Sequence, residues 1–226
     1  MKAAILALGV LLCLPPSGSA QASGCPAPSK ESADAKRERD LKIPEIVQAL
    51  GLTEGAKVAD IGAGDGFYEI SLSRAVGPQG RVYAEDIDEK GAIKKLQERV
   101  DKDHLGNVDV ILGAPDDPKL PSGALDAVLT VISYHEVADY TKVLEHIMAA
   151  LKPGGRFVVV DMMPHKTLTR PRADQVKNHV IAADLAEIEI HQAGFEVVLR
   201  DDHFIDNPDE ESTRWMIVFR KPVARQ

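Results

Sequence analysis

The chain has 226 residues, 44% of them apolar and 27% charged, proportions ordinary for a soluble globular protein, which excludes extensive disorder and a polytopic membrane protein. Its 35 acidic residues against 27 basic ones give a net charge of −8, so a nucleic-acid partner is repelled overall. The length fits one domain of ordinary size behind a short leader.

Residues 1–22 read as a secretory signal peptide, with Lys2, the apolar run Ala3 to Leu14, then Pro15, Pro16 and small residues. The run has 12 residues, well short of the roughly 20 a spanning helix needs, so no stable membrane span is expected. The mature protein is expected to be exported, to the periplasm of a bacterium, with cleavage after Ala20 or Ala22. Cys25, preceded by Ala22-Ser23-Gly24, loosely resembles a lipoprotein box without its large aliphatic residue, and lipidation there is the minor alternative. Cys13 lies inside the leader, so the mature chain has no internal disulfide. Residues 23–40, rich in Ser, Pro, Ala, Lys and Glu, read as a flexible linker, and residues 41–226 as the folded domain.

Pro44 opens a short helix over Ile43 to Leu50, and Gly51 ends it. Short β-rich runs then alternate with amphipathic stretches. The strands are expected at Lys57 to Ile61, Arg81 to Asp86, Val108 to Leu112, Ala124 to Ile132, Arg156 to Asp161, Phe195 to Arg200 and Arg214 to Arg220. Helices are expected near Gly66 to Val76, Asp88 to Asp101, Val137 to Leu151 and Ala173 to Ala193, with Lys152-Pro153-Gly154-Gly155 as a helix stop and turn. This pattern builds an α/β, doubly wound seven-stranded sheet with helices on both faces. The locally basic stretch Lys166 to Lys177 reads as a solvated loop.

The most informative segment is Val58-Ala59-Asp60-Ile61-Gly62-Ala63-Gly64-Asp65-Gly66, where the first strand runs into the first helix of the alternating part. Glycines there let the backbone turn sharply and approach a ligand. A dinucleotide fingerprint would have glycine or alanine at position 67, which is Phe67. Asp60 would repel a pyrophosphate, whereas it can accept from the ammonium of a bound amino acid. Twenty residues past Gly66 stands Asp86, placed to accept both hydroxyls of a ribose, with Glu85 turned to the opposite face by strand alternation and Ile87 free to pack on a base. After the third strand, Asp116 or Asp117 is placed to accept from an adenine amino group, or both shape a turn.

VADIGAGDG, VYAEDID and LKPGGRFVVVD, in that order and spacing, resemble the class I S-adenosylmethionine (SAM)-dependent methyltransferases over about residues 41–222. The likeness is closest to bacterial small-molecule methyltransferases carrying PDDPKLP, SYHEV and a closing AGF…VFRK. The resemblance implies a Rossmann-like sheet, mostly parallel with an antiparallel last strand at Arg214 to Arg220, and SAM as cofactor. It implies Asp60, Gly62, Gly64, Gly66 and Asp86 as cofactor contacts. Asp65 departs from the family pattern, where Thr, Ser or Cys is commoner, and adds a charge near the methionine carboxylate.

Methyl transfer from a sulfonium is an in-line displacement, so alignment in a dry pocket supplies much of the rate and a general base is optional. His135 is the candidate base or acceptor-positioning residue, against the alternative of a histidine that caps the next helix or bonds to backbone; Tyr134 walls the pocket. His165 and His179 are candidates for the acceptor edge, and His191 is expected to be structural. Neither a clustered Cys/His metal motif nor a Gly-x-Ser-x-Gly turn is present, so no metal is expected. The leading expectation is an exported enzyme that methylates a small molecule, and the rival is a non-catalytic exported protein binding a nucleoside or related metabolite on the same fold.

Overall fold

A computed structural model describes residues 32–165, 169–206 and 211–223; the expected leader, both expected cleavage points and Cys25 lie outside the described residues. From Ala33 onward the described residues build one unit, which begins with helix α1 (Ala33–Asp40), none of whose residues is buried. Composition put this stretch in the linker. It does lack core residues, but Arg37 lies over the Phe67 ring, 3.9 Å from its centroid, and this contact with the domain gives the helix something to form against. Helix α2 (Ile43–Leu50) has Pro44 in its first turn and Gly51 left-handed at φ 66 as its stop; Ile43, Ile46 and Leu50 are buried.

The alternation follows as β1 (Lys57–Ile61), α3 (Phe67–Val76), β2 (Arg81–Asp86), α4 (Ala92–Lys102), β3 (Val108–Leu112) and β4 (Leu125–Val131). After a single 3-10 turn at Tyr134–Glu136 come α5 (Tyr140–Ala150), β5 (Leu151–Pro164), α6 (Arg172–Val176), α7 (Ala183–Gln192), β6 (Glu196–Ile205) and β7 (Ser212–Arg220). The seven strands form one sheet in the order β3-β2-β1-β4-β5-β7-β6. Strands β1 to β5 pair in parallel, and β7 runs antiparallel to both of its neighbours. The Rossmann-like doubly wound fold with an antiparallel last strand is therefore present.

Successive side chains of a strand face opposite sides, and both sides of this sheet are covered. Ala59, Ile61, Val128, Phe157, Val159, Trp215 and Phe219 join a core with Leu144 and Ile147 of α5 and Ala186 and Ile190 of α7. Val58, Val82, Ala84, Leu129, Val158 and Met216 join the opposite core with Ile46, Leu72 and Leu96 of α2, α3 and α4. Burial on both faces explains why β5 reads as the continuous apolar run Phe157 to Val160 instead of alternating.

Two expectations are corrected. Strand β5 begins five residues early, because Leu151 already pairs with Leu125 before the chain bulges out through Gly154 (φ 82) and resumes pairing at Arg156; α5 still stops at Ala150. The helix expected over Ala173 to Ala193 is two helices separated by residues 177–182. Val180, Ile181 and Ala182 are buried there, so they mimic a helix face in sequence while dropping into the core as extended chain. Gln175 pins the break, its Oε1 accepting from Ala182 N at 2.7 Å and its Nε2 donating to Arg170 O at 2.6 Å. Among the described residues no helix is long and apolar enough to cross a membrane.

Candidate functional site

The chain leaves β1 toward β2 on one side and β4 toward β5 on the other, so the carboxyl edge between β1 and β4 is the switch point at which such sheets open a crevice. A cleft of about 450 Å³ lies there, bounded by Ile61, Gly62 and Gly64, by Glu85, Asp86 and Ile87, by Ala114, Pro115 and Pro118, and by Ile132 to Ser133 and Glu136 to Ala138. Gly62 has φ +75, and a Cβ on it would sit 2.4 Å from Ser133 Oγ, so glycine alone lets the turn pass under Ser133. Gly62 N and Ala63 N both donate to Glu85 O at 2.9 Å, tying the loop to the end of β2.

Asp86 is where the sequence put it. Its Oδ2 accepts from Gly64 N at 3.1 Å and its Oδ1 from Asp88 N at 3.0 Å, which fixes the carboxylate at the cleft wall with further lone pairs to offer. Ile87 is 54% exposed, a large apolar side chain kept in water beside that carboxylate. Glu85 also lines the cleft, contrary to its expected turn to the opposite face. It is buried beneath Gly113, where a Cβ would fall 1.7 Å from Glu85 Oε1. Ser133, Glu136 and Val137 belong to the SYHEV stretch quoted from the sequence, whereas Ala138 had no sequence signal.

Other expected contacts are not part of the lining. Asp60 shares a face of β1 with Val58, on the α3 side, and is buried against Glu69 of α3 instead of standing at the mouth. Gly66 is the left-handed residue before α3 (φ 73), and a Cβ on it would meet Leu96 at 2.7 Å; its glycine serves the approach of α4. Asp116 is half-exposed and paired with Lys142 at 3.0 Å, which lowers its pKa, and Asp117 accepts from Lys119 N. Tyr134 is buried with its hydroxyl donating to Glu189 at 2.9 Å, and burial raises its pKa far above the ordinary phenol value. The unexpected charge of Asp65 is met by Arg37 at 3.3 Å and Arg99 at 3.8 Å. Arg172, expected in a solvated loop, is instead clamped to Glu189 at 3.0 Å and stacked on Tyr140. Residues 166–168 of that loop lie outside the described residues.

Burial pushes Glu69 up to about 7 and Glu85 up to about 8, and raises Asp60 well above the carboxylate range. Both oxygens of Glu69 are buried without a hydrogen-bond partner, a position in which the neutral acid is the stable form. In the unfolded chain these groups ionise near their ordinary values, 4.5 for Glu. The folded state therefore holds more protons between those values and about 7 to 8, and stability falls as pH rises through that window. We expect urea unfolding to give a stability at pH 5.5 that exceeds the pH 8 value by on the order of a few kcal/mol. Glu69→Gln should flatten the slope; a slope of opposite sign would contradict the assignment.

His135 sits outside the cleft, in a neighbouring hollow of about 360 Å³ that shares Glu136, Val137 and Ala138 with it. Its ring is buried, with Nδ1 2.8 Å from Asp161 Oδ1 and its backbone N donating to Asp161 Oδ2 at 3.0 Å. Burial works against the charged ring, but the Asp161 carboxylate outweighs it and the pKa is raised. His179 faces His135 edge-on, ring centroids 5.9 Å apart, and both reach Glu136. His165 lies elsewhere, beside Met163 and His203. His191 bonds Phe195 O at 3.0 Å, the structural role expected of it.

Residues 58–155 match the family model of the methyltransferase domain. A demethylmenaquinone methyltransferase of Geobacillus kaustophilus is 32% identical over 124 residues, covering 54% of this chain and 53% of the relative, so the chain spans about half the length of the curated relatives it matches. Among solved structures, a SAM-dependent methyltransferase from Aquifex aeolicus superposes with a TM-score of 0.69 at 24% identity, covering 83% of this chain and 94% of that one. Phosphoethanolamine N-methyltransferase 2 of Haemonchus contortus, crystallised with SAM, superposes with a TM-score of 0.63 at 16% identity, covering 82% of this chain and 52% of that one. The family model thus covers residues 58–155, and the solved structures share the fold.

Proposed function

We propose that this chain transfers the methyl group of SAM to a small-molecule acceptor, with the cleft at the β1–β4 switch point holding the cofactor. One observation carries the reading: the cleft wall contains the carboxylates of Asp86 and Glu136 beside the largely protonated Glu85 and, among the described residues, no Lys, Arg or His. Such a wall suits a nucleoside that bears an ammonium and a sulfonium and lacks phosphate. The charge selection that the sequence suggested for Asp60 thus passes to Asp86 and Glu136. Asp86 accepts the ribose hydroxyls, Ile87 packs on the adenine, and the bare backbone at Gly62 and Gly64 faces the methionine part. The acceptor's lone pair forms its bond to the methyl carbon as the carbon–sulfur bond breaks, the electron pair staying on sulfur as a neutral thioether. Val137, Ala138 and Val143 help to keep water from that line.

Among acceptors, demethylmenaquinone is the first to assay, because the curated relatives are named for it; export to a periplasm remains part of the proposal and is checked by cell fractionation. Calorimetric titration with SAM and with S-adenosylhomocysteine (SAH) should show one site with micromolar affinity for both. Absence of heat at millimolar ligand would remove the reading. The expected export leader favours the second reading, a non-catalytic metabolite-binding protein, for which mass spectrometry of ligand co-purifying from the native compartment should find something other than SAM or SAH.

A further inference from the structure

The geometry points to a divalent transition-metal site formed by His135, Glu136 and His179, in the hollow behind the cleft wall. It does not depend on the cofactor reading. Three ligand atoms, one from each residue, lie within 4.8 Å of one another. His135 Nε2 is 3.6 Å from Glu136 Oε1, which is 3.3 Å from His179 Nδ1. Two donors bound to one ion at about 2.0–2.2 Å stand roughly 3.0–3.6 Å apart, so two of the three edges are already at coordination length. Only the edge between the two imidazoles has to shorten, and His179 stands on the exposed turn between α6 and α7, its side chain 73% exposed.

Two further features fit a ligand set. Asp161, fully buried, takes the Nδ1 side of His135 at 2.8 Å. With Nδ1–H donating there, Nε2 is left as a bare lone pair facing Glu136, which is the carboxylate–histidine arrangement that orients metal-bound imidazoles. His179 holds φ +53, a left-handed conformation that disfavours a side chain of its size, and the buried Val180 and Ile181 together with Gln175 fix the turn that imposes it. Two imidazoles and one carboxylate on one side of an ion leave positions open on the other, a set suited to zinc, cobalt, nickel or iron and not to magnesium or calcium. Arg172 borders the hollow but is neutralised by Glu189. Lys177 also borders it, so the open positions favour an anionic oxygen ligand, which the ammonium would attract.

The test uses tag-free full-length protein, stripped with chelator and titrated with Co²⁺ alone, followed by visible d–d absorption and by calorimetry. One equivalent should bind with micromolar affinity or better. Glu136→Gln and His179→Ala alter exposed side chains, so both should keep the wild-type circular dichroism while weakening Co²⁺ at least about tenfold each, in line with loss of a ligand. His203→Ala, which disrupts the separate His165–Asp206–His203 grouping, should change nothing. Failure of the wild type to bind Co²⁺ at millimolar concentration overturns the site, as does binding that survives both variants or that His203→Ala abolishes.

Discussion

Asp86→Ala is expected to weaken SAH binding by about a hundredfold. A charge-assisted hydrogen bond contributes about 1.5–3 kcal/mol, and a carboxylate accepting two ribose hydroxyls makes two of them. Half-exposed as Asp86 is, part of that gain replaces hydration, which leaves about 3 kcal/mol, or two decades in Kd. The same change releases Gly64 N and Asp88 N from their partners, so the glycine loop loses its tie to β2 as well as its ribose acceptor. Asp86→Asn keeps the shape and one acceptor oxygen and should fall between the two. Calorimetry decides the matter: an alanine variant within threefold of wild type would move the ribose elsewhere.

The second large effect concerns stability. Asp161 is fully buried and its two oxygens take three partners: His135 N at 3.0 Å, His135 Nδ1 at 2.8 Å and Met162 N at 2.7 Å. Asp161→Ala leaves two backbone N–H groups and an imidazole without acceptors in the core, and removing one member of such a buried charged arrangement costs about 3–5 kcal/mol. Urea unfolding should show that loss as a lower midpoint with an unchanged m-value. A loss below about 1 kcal/mol would mean that water reaches these donors.

Much of the frame was legible. The bounds of β1, β2 and β3 and the α2 helix with its proline and glycine ends follow from local chemistry that tertiary contacts did not override. Asp86 was legible because the end of a second strand has one place in a doubly wound sheet. Asp60 was not. Period-two alternation pairs it with Val58, but which face of β1 borders the cleft depends on how α3 packs, and no single-strand pattern contains that. Glu85 failed by the same rule because the cleft lies across the end of β2, within reach of both Glu85 and Asp86, and Gly113 leaves room for the Glu85 carboxyl. His135 and His179 are 44 positions apart, outside the short spacing of a metal motif. They meet because the 3-10 turn after β4 packs against α6 and the break that follows it, and that break was hidden by Val180 and Ile181 continuing an apolar helical stripe.

The order β5-β7-β6 has a consequence for how the chain reaches its native state. The last strand to be synthesised is an interior one, hydrogen-bonded on both sides, and it carries Trp215, Ile217 and Phe219 into one core and Met216 and Val218 into the other. Until residues 212–220 emerge from the ribosome, β5 presents an open hydrogen-bonding edge and β6 has no sheet to join. The nascent polypeptide must therefore wait for residues 212–220 before either hydrophobic layer can seal, and that interval of unsatisfied edges is when holdase chaperones have their target.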